Sequence, residues 1–355
     1  MSALKELLKG IAEEHRTLTR DEARSALQAI LTADADPAAD LAIAGLLTAM
    51  ATRGETVAEL TGFAEAMRTL SVPIPLTDAE RAALVDTCGT GGDGQGTFNI
   101  STGAALVAAA AGAKVAKHGN RAMTSRCGSA DVLEALGVPV AMTAEQSAKC
   151  LRATGFTFLY ASALHPAMKR VQPIRRALGF RTIFNLAGPL TNPAGAPAQI
   201  MGVYSAEKLE VVADAMAELG VRHGRVMHAR NGIDELALSA TDTILVRASS
   251  GSKPLRMPGQ LVHPEDAGLQ HASLGHLAGG ETAQENAAIL ERVLTGAERG
   301  PQRDVVLLNA AAALEAAGVA TTLKEGAERA DAAIDSGAAE NLLRMLREFG
   351  RSLEG

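Results

Sequence analysis

The hexapeptide Ser71-Val-Pro-Ile-Pro-Leu76 separates two stretches with different hydrophobic periods. Before it, Ala and Leu recur at helical spacing through Leu41–Met50 and Val57–Leu70, and Thr19-Arg-Asp-Glu22 has the pattern of a capping box. After it, short apolar runs alternate with helical segments. Neither period survives two prolines in six residues, so the segment predicts an extended hinge between domains. The chain is thereby constrained to an all-helical unit up to about residue 72, followed by an α/β unit with a mostly parallel sheet.

Within the second unit, strands are expected at Leu84–Asp86, Lys114–Lys117, Val138–Ala141, Phe156–Tyr160, Gln199–Tyr204, Arg225–Ala229 and Thr243–Val246. Helices are expected at Gly103–Ala111, capped by Ser101 or Thr102, at Ser129–Leu136, and after the capping boxes at Thr77 and Thr143. Ala-rich helices return over 283–349. One stretch breaks the alternation: Met168–Leu178 reads as a basic helix containing Pro173, and Gly188-Pro-Leu-Thr-Asn-Pro193 follows. An excursion back to the helical unit would account for it.

The length, 355 residues, allows two domains. Aromatic residues make up 3% and Trp is absent, so the core must be built from Ala, Leu, Val and Ile. A net charge of −6 argues against a nucleic-acid partner for the whole surface. Three cysteines are too few, and odd in number, for a disulfide scaffold; they fit a reducing cytoplasm. The N-terminus lacks a signal-peptide pattern, and the run Gly103–Ala113 is about half of the ~20 residues a membrane span needs.

Two glycine-rich loops carry the chemistry. The first, Gly89-Thr-Gly-Gly-Asp-Gly94, leads through Thr97 to Asn99-Ile-Ser-Thr102, where a helix would begin. The second runs from Lys117-His-Gly-Asn-Arg121 to Ser129. Glycine lets backbone N–H groups approach a ligand, and hydroxyls, a lysine and a helix N-terminus suit phosphate oxygens. A ligand with several phosphates is the expectation. A literal GxGxxG is present, but the helix starts late and the next strand ends in Lys117-His118 instead of the acid a dinucleotide ribose requires. Asp234-Glu235 either forms an acidic turn or holds hydrated Mg²⁺. Arg175 and Arg176 cannot share one helix face; the inward one suits a planar carboxylate, the outward one a solvated basic surface. Cys88 reads as a small buried residue, and no His/Cys spacing suggests zinc.

These segments, together with Gly128-Ser-Ala-Asp131, His165-Pro-Ala-Met-Lys169 and Arg181-Thr-Ile-Phe-Asn185, resemble the anthranilate phosphoribosyltransferase family in order and spacing. The resemblance implies a helical domain of residues 1–72 and about 168–192, and an α/β domain of 73–167 and about 193–355. It also implies a homodimer, Mg²⁺, and transfer of a phosphoribosyl group from phosphoribosyl pyrophosphate to anthranilate. Carried over, Gly89, Gly92, Asp93, Thr97, Asn99, Ile100, Ser101, Thr102, Lys117, His118, Gly119, Asn120, Arg121, Ala122, Met123, Thr124, Ser125 and Ser129 would bind phosphoribosyl pyrophosphate. Gly89, Asn120 and Arg175 would meet anthranilate; Ser101, Asp234 and Glu235 would bind the metal. No general base is assigned; Lys117 and Mg²⁺ would stabilise the transition state. The second loop reads Ala122-Met-Thr-Ser-Arg-Cys127, where the family often has Ser-Val-Ser-Ser-Lys-Ser. A pyrimidine nucleoside phosphorylase, or a nucleic-acid-binding paralogue of the same fold, is the alternative; the former would lack the Asp234-Glu235 pair.

Overall fold

The computed structural model describes residues 2–34, 36–122, 126–248 and 251–353. Four helices open the chain: α1 (Ser2–Glu14), α2 (Arg20–Thr32), α3 (Pro37–Arg53) and α4 (Val57–Thr69). Their starts follow local chemistry. The Thr19 hydroxyl accepts from the Glu22 N–H at 3.3 Å, and the Glu22 carboxylate accepts from the Thr19 N–H at 2.9 Å. Thr56 and Glu59 repeat this box ahead of α4. Asp36 caps α3, with Pro37 in its first turn.

Then follow α5 (Asp78–Ala82), β1 (Leu84–Asp86), α6 (Ile100–Ala110), β2 (Lys114–Gly119), α7 (Ser129–Ala135), α8 (Ala144–Thr154), β3 (Phe156–Tyr160) and α9 (Ala161–Leu164). The chain continues through α10 (Gln172–Leu178), α11 (Ile183–Ala187), β4 (Ala198–Gly202), α12 (Leu209–Glu218), β5 (His223–Ala229), β6 (Thr241–Arg247) and β7 (Leu255–Val262). It ends in α13 (Ala283–Leu294), α14 (Pro301–Ala316), α15 (Leu323–Asp335) and α16 (Ala338–Ser352). The sheet has seven strands in the order β3-β2-β1-β4-β5-β6-β7. The pairings from β3 across to β5 are parallel, and β6 and β7 are antiparallel. From β1 the chain goes first to β2 on one side and later to β4 on the other. The carboxyl ends of β1, β2 and β4 therefore surround a switch point, where open α/β sheets bind ligands.

One core lies between the sheet and α6, α7, α13, α14 and α16, and is almost entirely Ala, Leu, Val and Ile. A second joins α1–α4 to Val171, Ile174, Ile183, Phe184 and Leu190, and extends to α12 and one face of β4–β6. Phe63 and Phe184 meet in it with ring centroids 5.7 Å apart.

The structure departs from the sequence reading at several points. Val138–Ala141 is not a strand. Pro139 cannot donate to a ladder, and the Val138 N–H bonds back to the Leu133 carbonyl at 2.9 Å. The first turn of α6 begins at Ile100 with Asn99 as its cap, so Ser101 and Thr102 lie inside the helix. The basic helix expected at Met168–Leu178 is broken into a 3₁₀ turn (Pro166–Arg170) and α10, with Pro173 in the first turn, where its missing N–H costs nothing. β7 was not anticipated: it is an edge strand with seven of its eight residues exposed, so it has no apolar alternation to read.

Candidate active site

The first glycine loop leaves β1 and is shaped by positive φ at Gly91, Gly92, Gly94 and Gly96 (+62° to +75°). It is pinned at both ends. The Thr90 N–H bonds the Gly202 carbonyl at 2.9 Å, and Thr97 pairs with Ala278. Gly202 must be glycine: a Cβ there would lie 1.4 Å from the Asp234 carbonyl oxygen. The bare backbone of β4 thus lets the loop carrying Asp234 and Glu235 close over the end of the sheet, beside Gly89.

Three carboxylates gather there. Asp93 Oδ2 accepts from the Asp234 N–H at 3.3 Å, and Glu235 Oε1 accepts from the Ser101 N–H at 3.2 Å, in the first turn of α6. Asp234 and Glu235 keep partial contact with solvent, yet protein packs closely enough around them to raise both carboxyls. Desolvation is the main cause; next come the charge of Asp93 on Asp234, and that of Asp234 on Glu235. Such a cluster of hard oxygen donors, short of positive charge, with the Ser101 hydroxyl close by, fits Mg²⁺ better than a thiophilic ion.

Lys117 lies beneath this cluster, buried to 2% exposure. Its ammonium donates to the Thr87 carbonyl (3.1 Å), the Thr87 hydroxyl (3.0 Å) and the Ser101 hydroxyl (3.3 Å). It therefore acts as a fixed positive charge under the start of α6, holding Ser101. The next residue, His118, faces the other side of the sheet. Its N–H bonds Asp86 Oδ1 at 3.0 Å, its ring packs 5.1 Å from that of His165, and burial holds the imidazole neutral.

In the second loop, Asn99 Nδ2 reaches across to the Cys127 carbonyl at 3.0 Å. The Asn120 carbonyl accepts from the Ser129 hydroxyl, and Asn120 Oδ1 accepts from the Ser162 hydroxyl at 3.1 Å. Gly119 sits against Ser129 and Phe158. Arg121 turns outward, paired with Asp131 (2.9 Å) and Glu134 (2.8 Å). Asp131 does more than oppose the helix dipole: it also accepts from the Ala122 and Gly128 N–H groups. Ile100 and Thr102 are buried. Met123, Thr124 and Ser125 lie outside the described residues. Cys88 is half-buried, and desolvation raises its thiol far above the usual range.

Arg175 is half-buried and Arg176 exposed, so the inward member of the pair is Arg175. Its guanidinium stacks 5.3 Å from the Phe184 ring and has no hydrogen bond or ion pair among the described residues. Six residues on, Arg181 donates to the Gly92 carbonyl at 2.5 Å and lies 4.4 Å from the Tyr204 ring centroid. The α10–α11 segment thereby touches the first glycine loop. The sequence reading missed this clasp, the place of His165, and the junction of Asp93 with Asp234. Only the long-range fold brings those residues together.

Known proteins resemble this chain in sequence and fold. Residues 1–71 match the family model for the glycosyl transferase family, helical bundle domain, and residues 81–340 that for its a/b domain. Anthranilate phosphoribosyltransferase of Symbiobacterium thermophilum is 49% identical over 99% of this chain and 98% of its own, and that of Solibacter usitatus 48% over 99% and 100%. The chain belongs to the anthranilate phosphoribosyltransferase family. The crystal structure of the Thermus thermophilus family member superposes with a TM-score of 0.88 at 43% identity, covering 99% of this chain and all of that one. The Saccharomyces cerevisiae family member, in complex with PRPP and Mg, gives 0.86 at 29% identity, covering 99% and 98%.

Proposed function

We propose that this member of the family transfers the phosphoribosyl group of phosphoribosyl pyrophosphate to the amine of anthranilate, releasing pyrophosphate in tryptophan biosynthesis. Arg175 carries the reading. A desolvated guanidinium that has, among the described residues, a ring contact and no polar partner is poised for a planar carboxylate, which it would grip with two parallel hydrogen bonds. The phosphate-bearing substrate falls to the two loops: Gly89, Gly92, Asp93, Thr97, Asn99–Thr102, Lys117–Ser125 and Ser129. Gly89 and Asn120 would join Arg175 around the acceptor.

As pyrophosphate departs, positive charge develops at the ribose C1 and negative charge on the leaving group. Lys117 and the positive end of the α6 dipole stabilise the latter from fixed positions. Ser101, Asp234 and Glu235, with Asp93 beside them, would hold Mg²⁺. That ion, when bound, neutralises charge on the pyrophosphate oxygens. The aryl amine of anthranilate has a free lone pair near neutral pH, so positioning replaces a general base. Closure about Ser71–Leu76 would bring Arg175 toward C1.

We divide the chain into a helical domain of 1–72 with 168–192, which share one core, and an α/β domain of 73–167 with 193–355, onto which that core continues at α12 and one face of β4–β6. A homodimer formed through the helical unit would cover Leu41, 75% exposed on α3. Three free cysteines support a reducing compartment such as the cytoplasm. Among the described residues no helix is long and apolar enough to cross a membrane. Pyrophosphate release from phosphoribosyl pyrophosphate with Mg²⁺, with and without anthranilate, tests the proposal. Release is expected only with anthranilate. Phosphate-dependent cleavage of a pyrimidine nucleoside instead would establish the phosphorylase reading.

A further inference from the structure

Away from the cleft, His263, Glu265 and His271 bring one ligand atom each within 4.8 Å of the others. His263 follows β7, Glu265 lies in the 3₁₀ turn Pro264–Ala267, and His271 is in the loop beyond it. His271 Nε2 is 3.0 Å from Glu265 Oε1. That is close to the spacing of neighbouring ligands on a tetrahedral ion, about 3.3 Å for bonds of about 2.0–2.1 Å. The two imidazole centroids are 6.2 Å apart and the rings are inclined at 67°.

The loop is already held in shape. The His263 N–H donates to Asp266 Oδ2 at 2.8 Å, Gly268 N–H to the Glu265 carbonyl at 2.9 Å, and Leu269 N–H to the Pro264 carbonyl at 3.0 Å. Pro264 and Ala267 are buried beneath it. An ion would therefore bind side chains whose backbone order is in place, with solvent supplying the remaining ligands.

We propose that His263, Glu265 and His271 form a surface site for one borderline divalent transition ion of the Zn²⁺, Co²⁺ or Ni²⁺ class. Two imidazoles and one carboxylate suit such ions and not Mg²⁺, the reverse of the oxygen-only cluster at Asp93, Asp234 and Glu235. The segment runs on to the Thr97–Ala278 bridge and the bond from the Gly279 N–H to the Gly96 carbonyl (2.8 Å). An ion there stiffens the strap that braces the first glycine loop.

The test is Zn²⁺ titration calorimetry, and Co²⁺ absorption, on the untagged full chain with excess Mg²⁺ to occupy hard-oxygen sites. One ion per chain is expected. His271→Ala should weaken binding about tenfold or more, with anthranilate-dependent turnover retained as the check on folding. Glu265→Gln should weaken it less, and Asp234→Asn should leave it intact. No Zn²⁺ binding, full affinity in His271→Ala, or loss of the ion in Asp234→Asn would each overturn the proposal.

Discussion

Arg225 and Arg175 are both drawn out of water, but among the described residues only Arg225 of the two has an acid to meet. Arg225, on β5, donates to Glu315 at 2.6 Å, and Arg247 bonds the other oxygen of the same carboxylate at 3.0 Å. Arg303 is likewise buried and held by Asp331 and Asp335. Around the strand ends the pattern inverts. Among the described residues Arg175 meets the Phe184 ring and no acid, and Asp93, Asp234 and Glu235 crowd one another with Lys117 as the nearby cation. Arg225 and Arg303, which serve the fold, are neutralised within the chain. Charges at the cleft are left for ligands to neutralise, and folding tolerates the cost because buried apolar surface elsewhere supplies the stability.

The strongest way to break this contrast is to remove the cation under α6. Lys117→Met keeps the length of the side chain and deletes its charge and three donors. We expect kcat/KM for phosphoribosyl pyrophosphate to fall by about 10²–10³, the effect of losing one preorganised stabilising group. Far-ultraviolet circular dichroism should stay native. A fall of less than threefold would show that Lys117 serves packing alone.

Exchanging the two arginines' roles comes next. Arg175→Ala should raise KM for anthranilate about a hundredfold, for loss of a paired charged contact, and leave KM for phosphoribosyl pyrophosphate and the unfolding midpoint nearly unchanged. Arg225→Met should do the opposite, costing about 1–3 kcal/mol of stability with both KM values kept. Equal effects of Arg175→Ala on both substrates would remove it from the acceptor site.

The metal cluster gives a smaller effect. Glu235→Gln retains the acceptor for the Ser101 N–H but removes one negative charge. The Mg²⁺ concentration at half-maximal rate should rise about tenfold, one lost charge–cation contact in a screened cleft. An unchanged Mg²⁺ titration would exclude Glu235 as a ligand.

Which parts were legible from sequence follows the range of the interactions. Capping boxes at Thr19, Thr77 and Thr143 are local, and each forms as read. The glycine loops announced themselves because several rare features coincide within a few residues. Val138-Pro139-Val140 misled because a short buried apolar run has no period; Pro139 was the signal that went unweighed. Arg175 and Arg176 were separable only as a pair, since a helix forces one inward but does not say which. The clasp from Arg181 to Gly92 spans 89 residues of sequence, and nothing local marks it. Asp93 was read as a phosphate neighbour because its partner Asp234 arrives from a distant loop.

Asp86 sharpens the comparison from the side of pH. It ends β1 fully buried, accepting from the His118 N–H. Burial raises its carboxyl from 3.8 to about 6, against the opposing pull of Asn192 and Lys117. Between those two values the folded chain holds a proton that the unfolded chain has released, so stability falls as pH rises from about 4 to about 6. The shift of about two units corresponds to about 3 kcal/mol at most. Asp86→Asn keeps an acceptor for His118 and has nothing to titrate. The urea midpoint of Asp86→Asn relative to the parent chain should therefore rise between pH 4 and about 6 and level off above it. The remaining slope should combine the raised carboxyls of Asp234 and Glu235, which lower stability as pH rises, with the depressed imidazoles of His118 and His165, which raise it; excess Mg²⁺ should reduce the first part in both proteins. Identical slopes for parent and variant would mean that Asp86 is ionised in the folded chain throughout, with the Lys117 charge and the His118 N–H outweighing its burial.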